Sequence, residues 1–356
     1  MFQSRIKKLR DSFNSNNIDA LIVENHYNVY YLSGFTGTNG YLLIEKGRSF
    51  LITDSRYLEQ AKIECKDYEV VNQGKDIYGT LFNILDETNI KNLGFEGNYI
   101  TLKRFGEYEE RLTGINLISV KGEIKKLRET KDLQEIQKIK TAANIADMAF
   151  NHILNYLKPG ITENEISLEI EYFMKKQGAS EISFETIVAS GVRSSMPHGV
   201  ATSKIIEYGD TVTLDFGCIY DRYCSDMTRT VFIGQAQEKI KEIYKIVLEA
   251  QQSAIQMLEP GLVCKDADAE ARSIISKSGY GPNFGHSLGH SLGLEVHEEP
   301  SLSYNSEKIL KPGMVVTIEP GIYLEGIGGV RIEDLILITE NGYENFVSAS
   351  KEIIII

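Results

Sequence analysis

All seven prolines of this 356-residue chain lie at or beyond Pro159, and the first 158 residues contain none. Proline interrupts helix interiors and central strands. Two stretches that use it so differently obey different local rules, and a chain of this length is long enough for two domains. The proline-free part opens with an amphipathic helix over about residues 2–16. Strand-like runs follow: DALIVEN, NVYYLSGF, YLLIEKG, RSFLITD, YEVVN and NLGFEG. The helical stretches RYLEQAKIE and GTLFNILDE lie between them, an alternation that predicts a small α/β domain. GFTGTNG (34–40) lacks the spacing of a phosphate-binding loop and reads as a turn before a hairpin. The domains are placed at residues 1–122 and 123–356, joined by the charged stretch KGEIKKLRETKD.

The second part carries a weak internal repeat. A long helix from about residue 133 to 157 stops at KPG, and a second, capped by Thr162 and Glu165 in a T-x-x-E box, ends at Gly178. A further long helix, about 237–258, stops at EPG, and a shorter one runs to Gly279. Pro159 and Pro260 are 101 residues apart, as are Gly178 and Gly279. Strand-rich sequence follows each helix pair. The expectation is a duplicated α-α-β-β unit whose halves are related by a pseudo-twofold axis.

Each half then offers a hairpin with two acids. In TVTLDFGCIYDRYCSDMTRTVFIG (211–234), Asp215 and Asp226 are symmetric about a turn centred between Tyr220 and Asp221. That register would set them directly opposite, with Cβ atoms about 5 Å apart. In MVVTIEPGIYLEGIGGVRIEDLILIT (314–339), Glu319 and Glu333 are symmetric about Gly326. A single strand carboxylate usually faces solvent. Two mirror-placed pairs in largely apolar strands point inward instead, where like charges need a cation between them. GHSLGHSLGLEVH (285–297) holds three of the six histidines, and a histidine is the natural fifth ligand. Four carboxylates and an imidazole suit two divalent ions of the Mn²⁺ type better than a thiolate zinc site does, and such pairs activate a bridging water.

The set TLDFG…SDMTRT, GHSLGHSLGLEVHE, TIEPGIY and GGVRIED resembles the pita-bread metallopeptidases, the family of Xaa-Pro aminopeptidase, Xaa-Pro dipeptidase (prolidase), methionine aminopeptidase and creatinase. The resemblance implies an α/β creatinase-like N-terminal domain and an α+β pita-bread catalytic domain. It implies Asp215, Asp226, His290, Glu319 and Glu333 as ligands of two divalent metals, with Mn²⁺ favoured and Co²⁺, Zn²⁺ or Fe²⁺ as alternatives. His198 in MPHGV and His297 would position the scissile peptide and stabilise developing charge, and His286 would line the same pocket or simply be a core histidine. Arg331 would support a ligand or the substrate, and Glu319 would double as the proton shuttle. The remaining histidines, His26 and His152, and the cysteines Cys218 and Cys224 read as packing or surface residues.

Within the family, the N-terminal domain disfavours methionine aminopeptidase. The intact ligand set disfavours creatinase and a non-catalytic peptide-binding protein. A dipeptidase needs a cation for the free proline carboxylate, and an arginine is looked for after H-E-x-P; here that position is Ser301. The reading therefore tilts toward Xaa-Pro aminopeptidase on short peptides, with Xaa-Pro dipeptidase as the alternative. A net charge of -12 argues against nucleic acid. No apolar run approaches a membrane span, and no secretory signal opens the chain, so a cytoplasmic location is expected, and the resemblance implies a homodimer.

Overall fold

The computed structural model describes residues 2–356, in two compact units that divide between Arg128 and Glu129. The boundary lies six residues beyond position 122. The reason is the short helix α6 (Glu123–Glu129), whose Ile124 is buried and whose Arg128 donates to Asn28 Oδ1 at 2.8 Å.

The first unit is one six-stranded sheet in the order β4-β3-β2-β1-β5-β6. Its strands are β1 (Ala20–Val23), β2 (Gly40–Glu45), β3 (Ser49–Thr53), β4 (Glu69–Asn72), β5 (Asn92–Glu96) and β6 (Asn116–Val120). Only β2 runs antiparallel to its neighbours. The helices are α1 (Phe2–Asp11), α2 (His26–Ser33), α3 (Leu58–Glu64), α4 (Ile77–Glu87) and α5 (Leu102–Arg111), with α6 closing the unit. One expectation fails. NVYYLSGF is not a strand but most of α2, despite its aromatic and β-branched content. The Asn25 side chain accepts from the backbone N–H groups of Tyr27 and Asn28, and Gly34 closes the helix at φ 79°. A cap at each end outweighs propensity over eight residues.

The second unit contains α7 (Leu133–Ile153), α8 (Glu163–Lys176), α9 (Glu238–Gln256) and α10 (Cys264–Lys277). Its strands are β7 (Glu181–Ile182), β8 (Ile187–Ser190), β9 (Thr211–Phe216), β10 (Cys218–Tyr220), β11 (Tyr223–Cys224), β12 (Met227–Phe232), β13 (Gly289–Ser291), β14 (Glu298–Leu302), β15 (Val315–Ile318), β16 (Gly321–Leu324), β17 (Gly328–Arg331), β18 (Asp334–Thr339) and β19 (Gly342–Asn345). The duplication is visible bond by bond. Helices α8 and α10 are both 14 residues long and start 101 positions apart. Gly160 N donates to Ile206 O and Gly261 N to Leu310 O, both at 2.9 Å, and the bridges Thr162–Ile205 and Val263–Ile309 follow. The capping box on Thr162 is formed, and Gly178 and Gly279 end their helices at φ 105° and 90°. In the first half β8, β9 and β12 form one antiparallel sheet; in the second, β13, β15 and β18 are the centre of another.

Strand alternation sends one face of each sheet into the core and the other toward a shared centre. Ile318, Ile322, Val330 and Ile332 pack with Ile240, Ile243 and Val247 of α9 in an apolar cluster of this unit. Arg331 and Glu333 alternate with these core residues and so share the opposite face.

Candidate metal centre

The register of the second acidic hairpin is the one its symmetry predicts. Ile318 pairs with Asp334 in the β15–β18 ladder, and Gly321 pairs with Arg331 in the β16–β17 ladder. Both pairs sum to the same register, which sets Glu319 opposite Glu333. Gly326 turns the hairpin at φ 74°.

The first hairpin differs. Asp215 pairs with Thr228, not with Asp226. Tyr220 pairs with Tyr223, so the turn is Asp221-Arg222, both at positive φ (45° and 72°). The symmetric reading centred the turn one residue too early. Asp226 is consequently diagonal to Asp215, two positions along the same face. The diagonal still lies within side-chain reach, and the Asp215 charge acts on Asp226.

The two hairpins and β13 bring the five residues together. His290 Nε2 lies 3.4 Å from Glu319 Oε1 and 3.7 Å from Asp226 Oδ2. Ligand atoms of Asp226, His290 and Glu333 lie within 4.8 Å of one another. Arg331 donates to Asp215 Oδ2 at 2.5 Å. The electrostatics follow from crowding acids in a dry place. Burial, then the Asp215 charge, pushes the Asp226 carboxyl well above its ordinary range. Burial, then Asp226, does the same to Glu333. Burial raises Glu319 to about 7, and burial lowers His290, which favours the neutral imidazole a metal binds.

The donor set fits divalent cations. Asp215 Oδ1 and Glu333 Oε1 are buried among the described residues without a hydrogen-bond partner. A buried carboxylate oxygen left unpaired is costly unless a cation or proton takes it. Two such atoms in one cluster of hard oxygen donors and one imidazole match metals of the Mn²⁺ class.

The other predicted residues surround this centre. His297 sits edge-on to the His290 ring, centroids 4.5 Å apart, and is exposed. His198 is exposed on the loop after β8, yet its charge acts on His286, His297 and Glu319, so it faces the same space. His286 contacts Tyr323 Oη through Nε2 at 3.0 Å, and burial lowers it to about 4. His152 stacks on Phe173 far along the chain in α7, and Cys218 and Cys224 are buried thiols that burial pushes up to about 12. The sequence reading missed Tyr323, Thr228 and Thr317. Tyr323 Oη accepts from Arg331 at 2.8 Å, Thr228 contacts Glu333, and Thr317 contacts Glu319. Each sits an even number of residues from a singled-out acid or arginine on the same strand or hairpin, the one signal that pointed to them.

Residues 137–340 match metallopeptidase family M24, and residues 5–130 match the creatinase/prolidase N-terminal domain. The chain belongs to metallopeptidase family M24. It is 41% identical over 359 residues to the Xaa-Pro dipeptidase of Pyrococcus horikoshii, covering 99% of each chain. A solved Xaa-Pro dipeptidase from Bacillus anthracis superimposes with a TM-score of 0.98 at 47% identity, covering 100% of both chains. An X-Pro aminopeptidase from Thermotoga maritima superimposes at 0.91 with 40% identity, covering 97% of this chain and 100% of that one. The M24 chain therefore has the creatinase-type N-terminal domain and the pita-bread catalytic domain, and it is a metallopeptidase. No helix among the described residues is long and apolar enough to cross a membrane.

Proposed function

We propose that this M24 metallopeptidase is an Xaa-Pro dipeptidase with a dinuclear centre held by Asp215, Asp226, His290, Glu319 and Glu333. The observation that carries the metal-dependent reading is the pair of orphaned carboxylate oxygens, Asp215 Oδ1 and Glu333 Oε1, in a cluster of four acids and one imidazole. The dipeptidase reading draws on the full-length likeness to relatives that carry that description. It replaces the aminopeptidase tilt of the sequence reading. Mn²⁺ is the first metal to test, before Co²⁺, Zn²⁺ and Fe²⁺. When bound, a pair of such ions lowers the pKa of a coordinated water and polarises a carbonyl.

The chain's own groups divide the remaining work. Glu319 would take a proton from the attacking water and return it to the proline nitrogen, which carries no N–H and leaves poorly without one. Arg331 holds Asp215 through Oδ2 and is itself braced by Tyr323 Oη and by Pro197 O at 3.1 Å. Neutral His286 orients Tyr323 from the other side. His198 and His297 would donate to the oxygen on which charge develops. A cytoplasmic homodimer fits this reading, with the four unpaired thiols matching a reducing compartment.

The second reading, Xaa-Pro aminopeptidase on longer peptides, keeps one observation in its favour. Ser301 stands directly across from His290 in the β13–β14 ladder. A hydroxyl there can bond a peptide carbonyl but cannot neutralise a free proline carboxylate. The test is hydrolysis of Ala-Pro against Ala-Pro-Ala by Mn²⁺-reloaded protein. Preference for Ala-Pro supports the dipeptidase; cleavage of the tripeptide alone supports the aminopeptidase. Loss of turnover in Asp226→Ala and His290→Ala is expected, and substantial activity in either would overturn the site.

A further inference from the structure

Two buried threonines touch the acidic cluster, and their hydrogen bonding has a direction. A threonine hydroxyl owns one proton and two lone pairs. Thr317 Oγ1 accepts the His290 backbone N–H at 3.0 Å and lies 3.0 Å from Glu319 Oε1. Thr228 Oγ1 accepts Arg331 Nε–H at 3.1 Å and lies 2.7 Å from Glu333 Oε2. The backbone amide and the guanidinium can only donate. Each hydroxyl is therefore turned by its N–H partner, and once the carboxylate ionises the hydroxyl proton points at it.

We propose that Thr228 and Thr317 are positioning residues that select which oxygen of Glu333 and of Glu319 is turned toward the metal ions. The inference rests on the metal-site reading above. Thr228 occupies Oε2 of Glu333, and the oxygen it leaves, Oε1, is one of the two orphans. Thr317 bonds Oε1 of Glu319, the oxygen that lies 3.4 Å from His290 Nε2, and so fixes the turn of that carboxylate. The arrangement at Glu333 recurs at Asp215, where Arg331 occupies Oδ2 and Oδ1 is the second orphan. At Glu333 and Asp215, then, one oxygen bonds the protein and the other is left for a cation.

The placement follows from the strands. Glu319 directly follows β15, two residues after Thr317, and the core residues Val316 and Ile318 alternate with them. Thr228 lies on β12, in the other half of the repeat, but serves Glu333. Its carbonyl also accepts the Glu333 N–H at 3.1 Å. Thr228 thus ties the first hairpin to the ligand of the second, while Thr317 ties Glu319 to the strand that carries His290. Both threonines are fully buried.

The test is Mn²⁺ affinity measured by titration calorimetry on metal-free full-length chain, together with the electron paramagnetic resonance spectrum of the loaded protein. Thr228→Val and Thr317→Val keep the shape and remove the hydroxyl. Each is expected to weaken Mn²⁺ binding about 10- to 100-fold and to alter the spectrum of the Mn²⁺ pair. Thr228→Ser and Thr317→Ser keep the hydroxyl and should stay within about threefold of the parent. Valine variants that bind as tightly as the parent overturn the proposal, and so do serine variants as weak as the valine ones, because shape rather than the hydroxyl would then matter. Should valine prevent folding, Thr→Ala variants are read by the same ratio. A parent chain that binds no Mn²⁺ refutes the metal-site reading itself, a result distinct from either.

Discussion

Loading the centre with metal should expel protons, and the number can be worked from the structure. Without metal, Asp226 and Glu333 sit well above the ordinary carboxyl range because both are buried and each faces other acids. Both therefore hold a proton to higher pH than an ordinary carboxyl does. Glu319, at about 7, is about half protonated. His290 is lowered and carries no displaceable proton there. Every ligand must be deprotonated to bind. Glu319 alone supplies about half a proton per chain at pH 7, and any proton that Asp226 and Glu333 still hold adds to it, so a release of about half a proton or more is expected. The sign follows directly: release falls as pH rises past Glu319's value and grows as pH falls below it, with apparent affinity weakening in step. The assay is calorimetric titration of chelator-treated protein with Mn²⁺ in two buffers of different ionisation enthalpy, the difference in observed heat counting the protons. Stoichiometric binding at pH 7 with no proton release would refute the reasoning, since the acids would then already be ionised and compensated by the protein's own cations.

Three further outcomes are expected. His286, lowered by burial to about 4, binds no proton in the folded state while the unfolded chain binds one below 6.5, so stability is fully present above 6.5 and is lost as pH falls through 4. That amounts to about 3 kcal/mol over the window. Denaturant melts at pH 4.5 and 7.5 should show a smaller pH difference in His286→Gln than in the parent, and an equal difference would show that the imidazole titrates freely. Glu163 is wholly buried at the start of α8, accepts from Ser190 N and Oγ and from Thr202 N and Oγ1, and pairs with Arg193. Glu163→Ala leaves that arginine unpaired and should cost about 3–5 kcal/mol, seen as a drop in Tm of about 10 °C; an unchanged melt would mean the cluster rearranges around water. Ser301→Arg supplies a cation beside His290 and should raise the ratio of Ala-Pro to Ala-Pro-Ala hydrolysis about tenfold, in KM more than kcat; an unmoved ratio would place the substrate carboxylate away from β14.

Much of this protein is decided by short-range chemistry that can be read along the chain. Pro-Gly stops, the Thr162–Glu165 box and glycines at positive φ mark both helix pairs at the same spacing, because capping involves only neighbours within one turn. The Glu319–Glu333 register is legible because Gly326 leaves one economical turn between two apolar runs. Where two local signals compete, the tertiary structure decides. The run NVYYLSGF has strand composition but helix caps, and the caps prevail. The Asp215–Asp226 hairpin has no glycine to mark its turn, so the pairing of β9 with both β8 and β12 selects Asp221-Arg222 and sets the two acids on a diagonal. Thr228 and Thr317 are common strand residues in sequence, and only the meeting of two hairpins gives them carboxylates to orient. Residue types and their alternation determined which side chains face inward. Which of them touch was decided by bringing together strands more than a hundred residues apart, a condition no local pattern carries.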